Sequence, residues 1–397
     1  MQPNSAGSRG GACGAANSGL ARRFLWHHPP MPALPTKMRA VLLNGHGGFE
    51  QLQWREDLPV PVPAAGEVLI RVGAAGVNNT DINTRTAWYS RAVNEGAPAA
   101  AAAAATGHVA ASAADTGWSG IALAFPRIQG ADACGRIVAV GPGVDASRLQ
   151  ERVLIEPVFR VGDAGGLCNA IYFGSECDGA FADFARAPAR HAYRIDSSLS
   201  DAELASFPCA YSAAENMLTR IALGRGETVL ITGASGGVGS AAVQLAKRRG
   251  ATVLAVASAE KAGALASLGA ARVFPRDGDL LAALGRESVD AVIDVAGGAR
   301  FAALLKVLVR GGRYAVAGAI AGPVVGLDLR TLYLKDLRLL GCTVLEPRVF
   351  ANLIGYIERG EIRPLLASVH PLQEIVAAQR EFLEKRHIGK IVLLPPA

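Results

Sequence analysis

The chain has 397 residues, half of them apolar and 19% charged, which allows two to three domains around a large core and excludes global disorder. Its formal charge of +6 sits at one end: residues 1–39 hold Arg9, Arg22, Arg23, Lys37 and Arg39 and no acid, so the remainder is nearly neutral and offers no nucleic-acid surface. No apolar run reaches membrane-spanning length, and Cys13, Cys134, Cys168, Cys177, Cys209 and Cys342 lack framework spacing, which favours reduced thiols in the cytoplasm.

Residues 1–37 are rich in Gly, Ala and Ser, carry His27-His28-Pro29-Pro30 and lack the apolar core of a secretory signal; they are expected to be a disordered leader. Met38-Arg39-Ala40-Val41-Leu42-Leu43 reads as the first strand. Glu67-Val68-Leu69-Ile70-Arg71-Val72 alternates like a half-buried strand, and Gly135-Arg136-Ile137-Val138-Ala139-Val140-Gly141 is another. Residues 94–121 contain seven consecutive alanines (99–105) with no polar face and are expected to be an inserted surface loop. From about 208 to 345 strands alternate with helices, for example a helix over 262–268 and the strands Asp290-Ala291-Val292-Ile293-Asp294-Val295 and Gly312-Arg313-Tyr314-Ala315-Val316-Ala317-Gly318. That alternation predicts an α/β fold built on a doubly wound parallel sheet. The chain closes on a strand, Gly389-Lys390-Ile391-Val392-Leu393-Leu394.

Within the alternating region, Thr228-Val229-Leu230-Ile231-Thr232 breaks into Gly233-Ala234-Ser235-Gly236-Gly237-Val238-Gly239 and runs straight into a helix-patterned segment. A strand, a glycine turn and a helix in that order are what a dinucleotide pyrophosphate needs: Gly236 permits close backbone approach, Gly239 permits tight helix–strand packing, and free N–H groups at the helix start face the phosphates. The first glycine of the fingerprint is Ala234, so the pattern reads AxGxxG, with Ala234, Ser235, Gly236, Gly237, Val238 and Gly239 as cofactor contacts. The next strand, 252–257, ends without the acid that holds an NAD ribose, and the first acid after it is Glu260. Ser258 and Lys261 are therefore expected to take the 2′-phosphate of NADPH; otherwise they are an N-cap and a solvated charge at the next helix start.

Taken in order, Gly76-Val77-Asn78-Asn79-Thr80-Asp81, Gly130-Ala131-Asp132-Ala133-Cys134-Gly135, the AxGxxG unit, Val289-Asp290-Ala291-Val292-Ile293-Asp294, Gly311-Gly312-Arg313 and Gly389-Lys390-Ile391-Val392 give a composite pattern. It resembles the medium-chain dehydrogenase/reductase superfamily over about residues 38–394, and within it the zinc-independent, quinone-oxidoreductase-like branch. The resemblance implies a GroES-like catalytic domain (38–206 and 346–397) interrupted by a Rossmann domain (207–345), with the active site between them. It also implies a homodimer paired through an edge strand at Gly341-Cys342-Thr343-Val344-Leu345.

In the zinc branch the three catalytic ligands fall at positions that here hold Asn78, Ala131 and Cys209, so no metal is expected. Cys209 then reads as a small buried residue. The implied chemistry is hydride transfer from NADPH to a quinone or an α,β-unsaturated carbonyl, with hydrogen-bond donors in place of a metal. Asn78, through its amide, and Thr80, through its hydroxyl, are the catalytic candidates, with Tyr89; Arg85 and Asp132 are expected on the substrate side. Asn78 and Asp81 equally suit a helix cap, and Arg85 a solvated charge. Val295 and Gly318, ending two strands, are expected to brace the nicotinamide. The alternatives are an alcohol dehydrogenase or enoyl reductase of the same superfamily, or a non-catalytic NADPH-binding sensor.

Overall fold

The computed structural model describes residues 34–94, 106–108, 111–161 and 170–396. Residues 1–33 of the expected leader (1–37) and the alanine run (99–105) lie outside them, and Lys37 already belongs to the first strand. From residue 36 onward the chain forms one compact unit.

In chain order the strands are β1 (Lys37–Leu43), β2 (Leu52–Pro59), β3 (Glu67–Gly76), β4 (Arg127–Ile128), β5 (Cys134–Val140), β6 (Arg152–Ile155), β7 (Val158–Arg160), β8 (Ala170–Tyr172), β9 (Phe184–Pro188) and β10 (Ala192–Arg194). They continue with β11 (Thr228–Ile231), β12 (Thr252–Ala257), β13 (Arg272–Pro275), β14 (Val289–Asp294), β15 (Leu308–Val316), β16 (Arg338–Gly341), β17 (Leu366–Pro371) and β18 (Lys390–Leu394). Four helices position the site: α1 (Asn79–Arg85), α2 (Pro208–Arg220), α3 (Gly237–Arg248) and α4 (Ile375–Glu384).

Strands β11 to β16 make a parallel sheet in the order β13-β12-β11-β14-β15-β16. The order reverses between β11 and β14, and in open α/β sheets ligands bind in the crevice at such a switch point. Both faces of this sheet are covered. Val229, Ile231, Val253, Ala255 and Ile293 pack into one core with Tyr211 and Met217 of α2 and Val243 of α3, while Leu230, Leu254, Val256 and Val292 pack into another with Phe301 and Leu304. Near-continuous Val, Leu and Ile in β11, β12 and β14 follow from that two-sided burial.

A second sheet, β10-β6-β5-β3-β18-β17 with β9 also on β3, brings distant parts of the chain together. The terminal strand β18 pairs antiparallel with the end of β3, Val392 opposite Gly76, so Lys390 and Asn78 meet although far apart in sequence. One expected element shifts. The edge strand is Arg338–Gly341, not 341–345, because its pairing to β15 ends at Val316 opposite Gly341 and continues only through Cys342 N to the Val316 carbonyl (2.9 Å). Among the described residues no helix is long and apolar enough to cross a membrane.

Candidate functional site

At the switch point, β11 runs into the glycine turn and α3 begins at Gly237 with Gly236 as its N-cap. Gly233 takes φ +55°, and Gly236 N closes the turn on the Gly233 carbonyl at 3.0 Å. Ala234 is fully buried and its N–H donates to Val256 on β12 (3.2 Å), so an alanine suffices at the first fingerprint position. Gly239 is the constrained one: a Cβ there would overlap the Gly233 carbonyl oxygen and come within 2.6 Å of the Ala234 Cα. The first N–H groups of α3, from Gly237, Val238 and Gly239, have no intrahelical acceptor and suit an anion. Val295 and Gly318 join this edge, since a Cβ on Gly233 would meet Val295 Cγ2 at 2.8 Å and one on Gly318 would meet the Val295 carbonyl at 2.9 Å. One buried carboxylate ties the edge together. Asp294 accepts from Thr232 Oγ1 (2.5 Å), Tyr314 Oη (2.5 Å), Ala296 N (2.8 Å) and Gly297 N (3.0 Å).

Ser258 follows β12 and opens the short turn 259–261. Lys261 does not reach outward as expected. Its ammonium donates to the carbonyls of Lys385 (2.7 Å) and His387 (2.9 Å), and it is 8% exposed. Burial first, and then Arg276, lowers its pKa; Arg276, which the sequence did not single out, thus adds a cation close to Lys261. His387 in the same loop is pushed down to about 4, chiefly by burial and then by Lys385 and Lys261.

The second half of the site gathers where β3, β18 and the start of α2 converge. Asn78 ends the extended run after β3, and its Oδ1 accepts from the Lys390 ammonium at 2.5 Å. Its Nδ2 donates to Asp132 Oδ2 (2.8 Å) and to the Gly76 carbonyl (3.2 Å). Both amide hydrogens are therefore engaged, which corrects the expectation that this amide faces a substrate oxygen. Asp132 Oδ2 also pairs with Lys390 at 2.7 Å, and its Oδ1 accepts from Cys209 N, in the first turn of α2, at 2.5 Å. A carboxylate at that helix start is favoured by the free N–H groups there. Asp132 and Lys390 are 0% and 3% exposed, so the pair is fully desolvated. The pair holds Asn78 and the start of α2 in place. Lys390, read from the sequence only as part of a terminal strand, is the buried cation at the centre of this cluster.

Thr80, in the first turn of α1, is buried, with its hydroxyl beside that of Tyr89. Tyr89 sits beside Thr80, Asn83, Cys209 and Asp81, and burial raises its hydroxyl pKa strongly. Burial likewise pushes the Cys209 thiol up, with Asp132 adding to the rise, so it is a protonated, unreactive thiol. The structure thus joins Asn78 and Asp132 to Lys390, with Tyr89 and Thr80 gathered beside Cys209 and Asp81. Arg85 is elsewhere: it is completely buried, donates to the Gly47 carbonyl (2.9 Å) and Gln379 Oε1 (3.2 Å), and lies over Phe49. It braces α1 against α4 and is not a substrate contact.

Asp81 accepts from Asn78 N (2.7 Å), yet its other oxygen is unpartnered, and burial lifts its pKa from 3.8 to about 7. The folded protein keeps this proton to about pH 7 whereas the unfolded chain releases it near pH 4, so stability falls as pH rises through that window and is level above it. Asp81→Asn is expected to raise the melting temperature by several degrees at about pH 8 and by much less at about pH 4. Thermal scans at both values check this, and an equal shift at the two contradicts it.

Similarity to known proteins agrees with the architecture. The family described as alcohol dehydrogenase GroES-like domain matches residues 64–197, and that described as zinc-binding dehydrogenase matches residues 237–359. A candidate alcohol dehydrogenase from Sinorhizobium meliloti 1021 is 46% identical with a TM-score of 0.82, covering 91% of this chain and 98% of its own. The chain belongs to the medium-chain dehydrogenase/reductase superfamily. It is 28% identical to an acryloyl-coenzyme A reductase of Metallosphaera sedula, over 90% of this chain and 99% of that protein. It is also 28% identical to a quinone oxidoreductase of Rattus norvegicus, over 90% of this chain and 98% of that protein. As a medium-chain dehydrogenase/reductase it is an oxidoreductase of a family that binds nicotinamide cofactors.

Proposed function

We propose that the protein is an NADPH-dependent reductase of quinones or α,β-unsaturated carbonyl compounds and works without a metal. The observation that carries this reading is the buried Lys390 ammonium held between Asn78 and Asp132. A catalytic zinc needs three ligands of the Cys, His or carboxylate kind with one position open. The family's ligand positions here hold an amide whose donors and acceptor are all engaged, the buried methyl group of Ala131, and a thiol that burial keeps protonated. These side chains do not fit a zinc ion, and Asp132 is already matched by a cation. The family's zinc-binding name does not carry over to them.

A nicotinamide dinucleotide does fit. The turn from Gly233 to Gly239 and the free N–H groups of α3 would take the pyrophosphate, and Val295 and Gly318 would border the nicotinamide. Bound NADPH would supply the hydride. The preference for NADPH rests on the missing acid after β12 and on Ser258 at the end of that strand, since Lys261 is turned to the 385–387 loop. The protein's own contribution is to orient the acceptor and to stabilise the oxygen that gains charge. Acceptors whose carbonyl is conjugated need less polarisation than simple ketones, which matches a site with donors and no metal. The likeness to acryloyl-coenzyme A and quinone reductases points the same way.

Steady-state oxidation of NADPH and NADH against quinones, enones and simple aldehydes tests the reading. Turnover of quinones or enones is expected, with kcat/KM at least about tenfold higher for NADPH. Turnover of aldehydes alone would instead mean an alcohol dehydrogenase, and tight dinucleotide binding with no turnover a sensor.

A further inference from the structure

We propose that the protein carries a second ligand site, apart from the dinucleotide turn, and that it takes a small monocarboxylate with an apolar body, of the class of medium-chain fatty acids.

The site is a cleft of about 710 Å³ among the strands that precede the parallel sheet. That volume suits a small organic ligand. Its walls come from β1, β2, β4, β7, β8 and β9, and among the described residues none beyond Arg190 lines it. Neither the turn from Gly233 to Gly239 nor the Asn78 cluster takes part. The depth of the cleft is apolar. Met38, Leu42, Ile128, Phe159 and Phe184 line it and are each less than a tenth exposed, and Leu42 of β1 pairs with Ile128 of β4. Ile171, 39% exposed, lines it where it opens to solvent. Such a lining favours a hydrocarbon body over water.

The polar groups on the same walls point to a negative head. Their carboxylates already have donors. Asp178 accepts from Arg127 Nη1 (2.9 Å) and Ile128 N (3.1 Å), Glu67 pairs with Arg186 (3.2 Å) and accepts from Ala64 N (2.8 Å), and Glu176 accepts from Ser119 N (2.8 Å) and Tyr172 N (3.0 Å). Arg160 is held by the buried Glu156 at 2.7 Å. Arg190 differs from these arginines. Among the described residues it meets no carboxylate, and it donates to His191 Nε2 (3.3 Å) and to the Arg160 carbonyl (2.5 Å). Arg127 adds a second donor, because its Nε is buried and has no hydrogen-bond partner. Guanidinium donors left over beside an apolar wall fit a carboxylate. A neutral ligand would cover the Arg127 Nε without satisfying it, and a dianion would bring a second charge that no further free arginine meets.

Calorimetric titration of the full chain with decanoate tests the site. One decanoate per chain is expected, with a dissociation constant of about 10–100 μM. Decanol should bind at least about tenfold more weakly, because it brings no charge to Arg190. Arg190→Gln should weaken decanoate by about tenfold and leave decanol unchanged. Ile171→Glu should weaken decanoate by about as much, since it sets a like charge at the opening. Both positions are exposed, so both variants should keep the melting temperature of the unaltered protein. Saturating NADPH should change the decanoate constant by less than about twofold, as expected of separate sites. A dissociation constant above about 1 mM, equal affinity for decanol and decanoate, or an unchanged constant in Arg190→Gln would each overturn the proposal. Competition between decanoate and NADPH would overturn it too, by placing the carboxylate in the dinucleotide cleft.

Discussion

Gly239→Val should raise the NADPH dissociation constant at least about a hundredfold and lower the melting temperature, whereas Gly236→Ala should leave the melting temperature unchanged and weaken NADPH binding by about tenfold, because its methyl group enters the space the pyrophosphate needs. The contrast comes from what each new Cβ meets. At Gly239 it overlaps the Gly233 carbonyl oxygen and approaches the Ala234 Cα to 2.6 Å, and backbone on both sides cannot swing away. The helix α3 must then back off from β11, and the N–H groups that face the pyrophosphate move with it. At Gly236 the nearest atom to a new Cβ is the Gly233 carbonyl oxygen at 3.5 Å, ordinary contact distance. Ala234 already shows that the first fingerprint position accepts a methyl group. Fluorescence titration with NADPH measures both constants. Unaltered binding by Gly239→Val would mean the turn does not hold the dinucleotide.

Asp294→Ala should reduce the unfolding free energy by about 3–5 kcal/mol, because it strands buried donors that each cost about 1–3 kcal/mol when unpaired. Asp294 has no exposure and accepts from Thr232 Oγ1, Tyr314 Oη, Ala296 N and Gly297 N. Those four donors come from the ends of β11, β14 and β15, the edge on which the dinucleotide would lie. Burial and the Asp294 charge hold the Tyr314 proton firmly, so this tyrosine stays a donor. Asp294→Asn keeps one acceptor oxygen and should cost less than Asp294→Ala. Urea unfolding followed by circular dichroism reads both. A loss below about 1 kcal/mol for Asp294→Ala would contradict the hub.

The sheet of β11 to β16 and its glycine turn were legible because their signals are contiguous: an apolar run, a turn and a helix within about twenty residues of sequence. Lys390 was not, because its partners Asn78 and Asp132 meet it only after β18 pairs with β3. A signal was present, since a lysine opening the apolar strand Lys-Ile-Val-Leu-Leu needs a buried partner. The direction of the Asn78 amide is a matter of tertiary contacts, which composition and spacing do not carry. Arg85 misled for a related reason. Helix α1 buries Thr80, Asp81, Ile82, Thr84 and Arg85, so it has no broad solvated face on which to place an arginine. Lys261 matched a phosphate contact by position along the chain, yet the loop at 385–387 takes its donors.

The central claim is that the acceptor is reduced without a metal. The direct measurement is quinone and enone reduction by protein stripped with a chelator, with its zinc content determined before and after zinc is added back. The account predicts full NADPH-dependent turnover in the stripped protein and no gain from zinc. Activity lost on stripping and restored in proportion to bound zinc would contradict it.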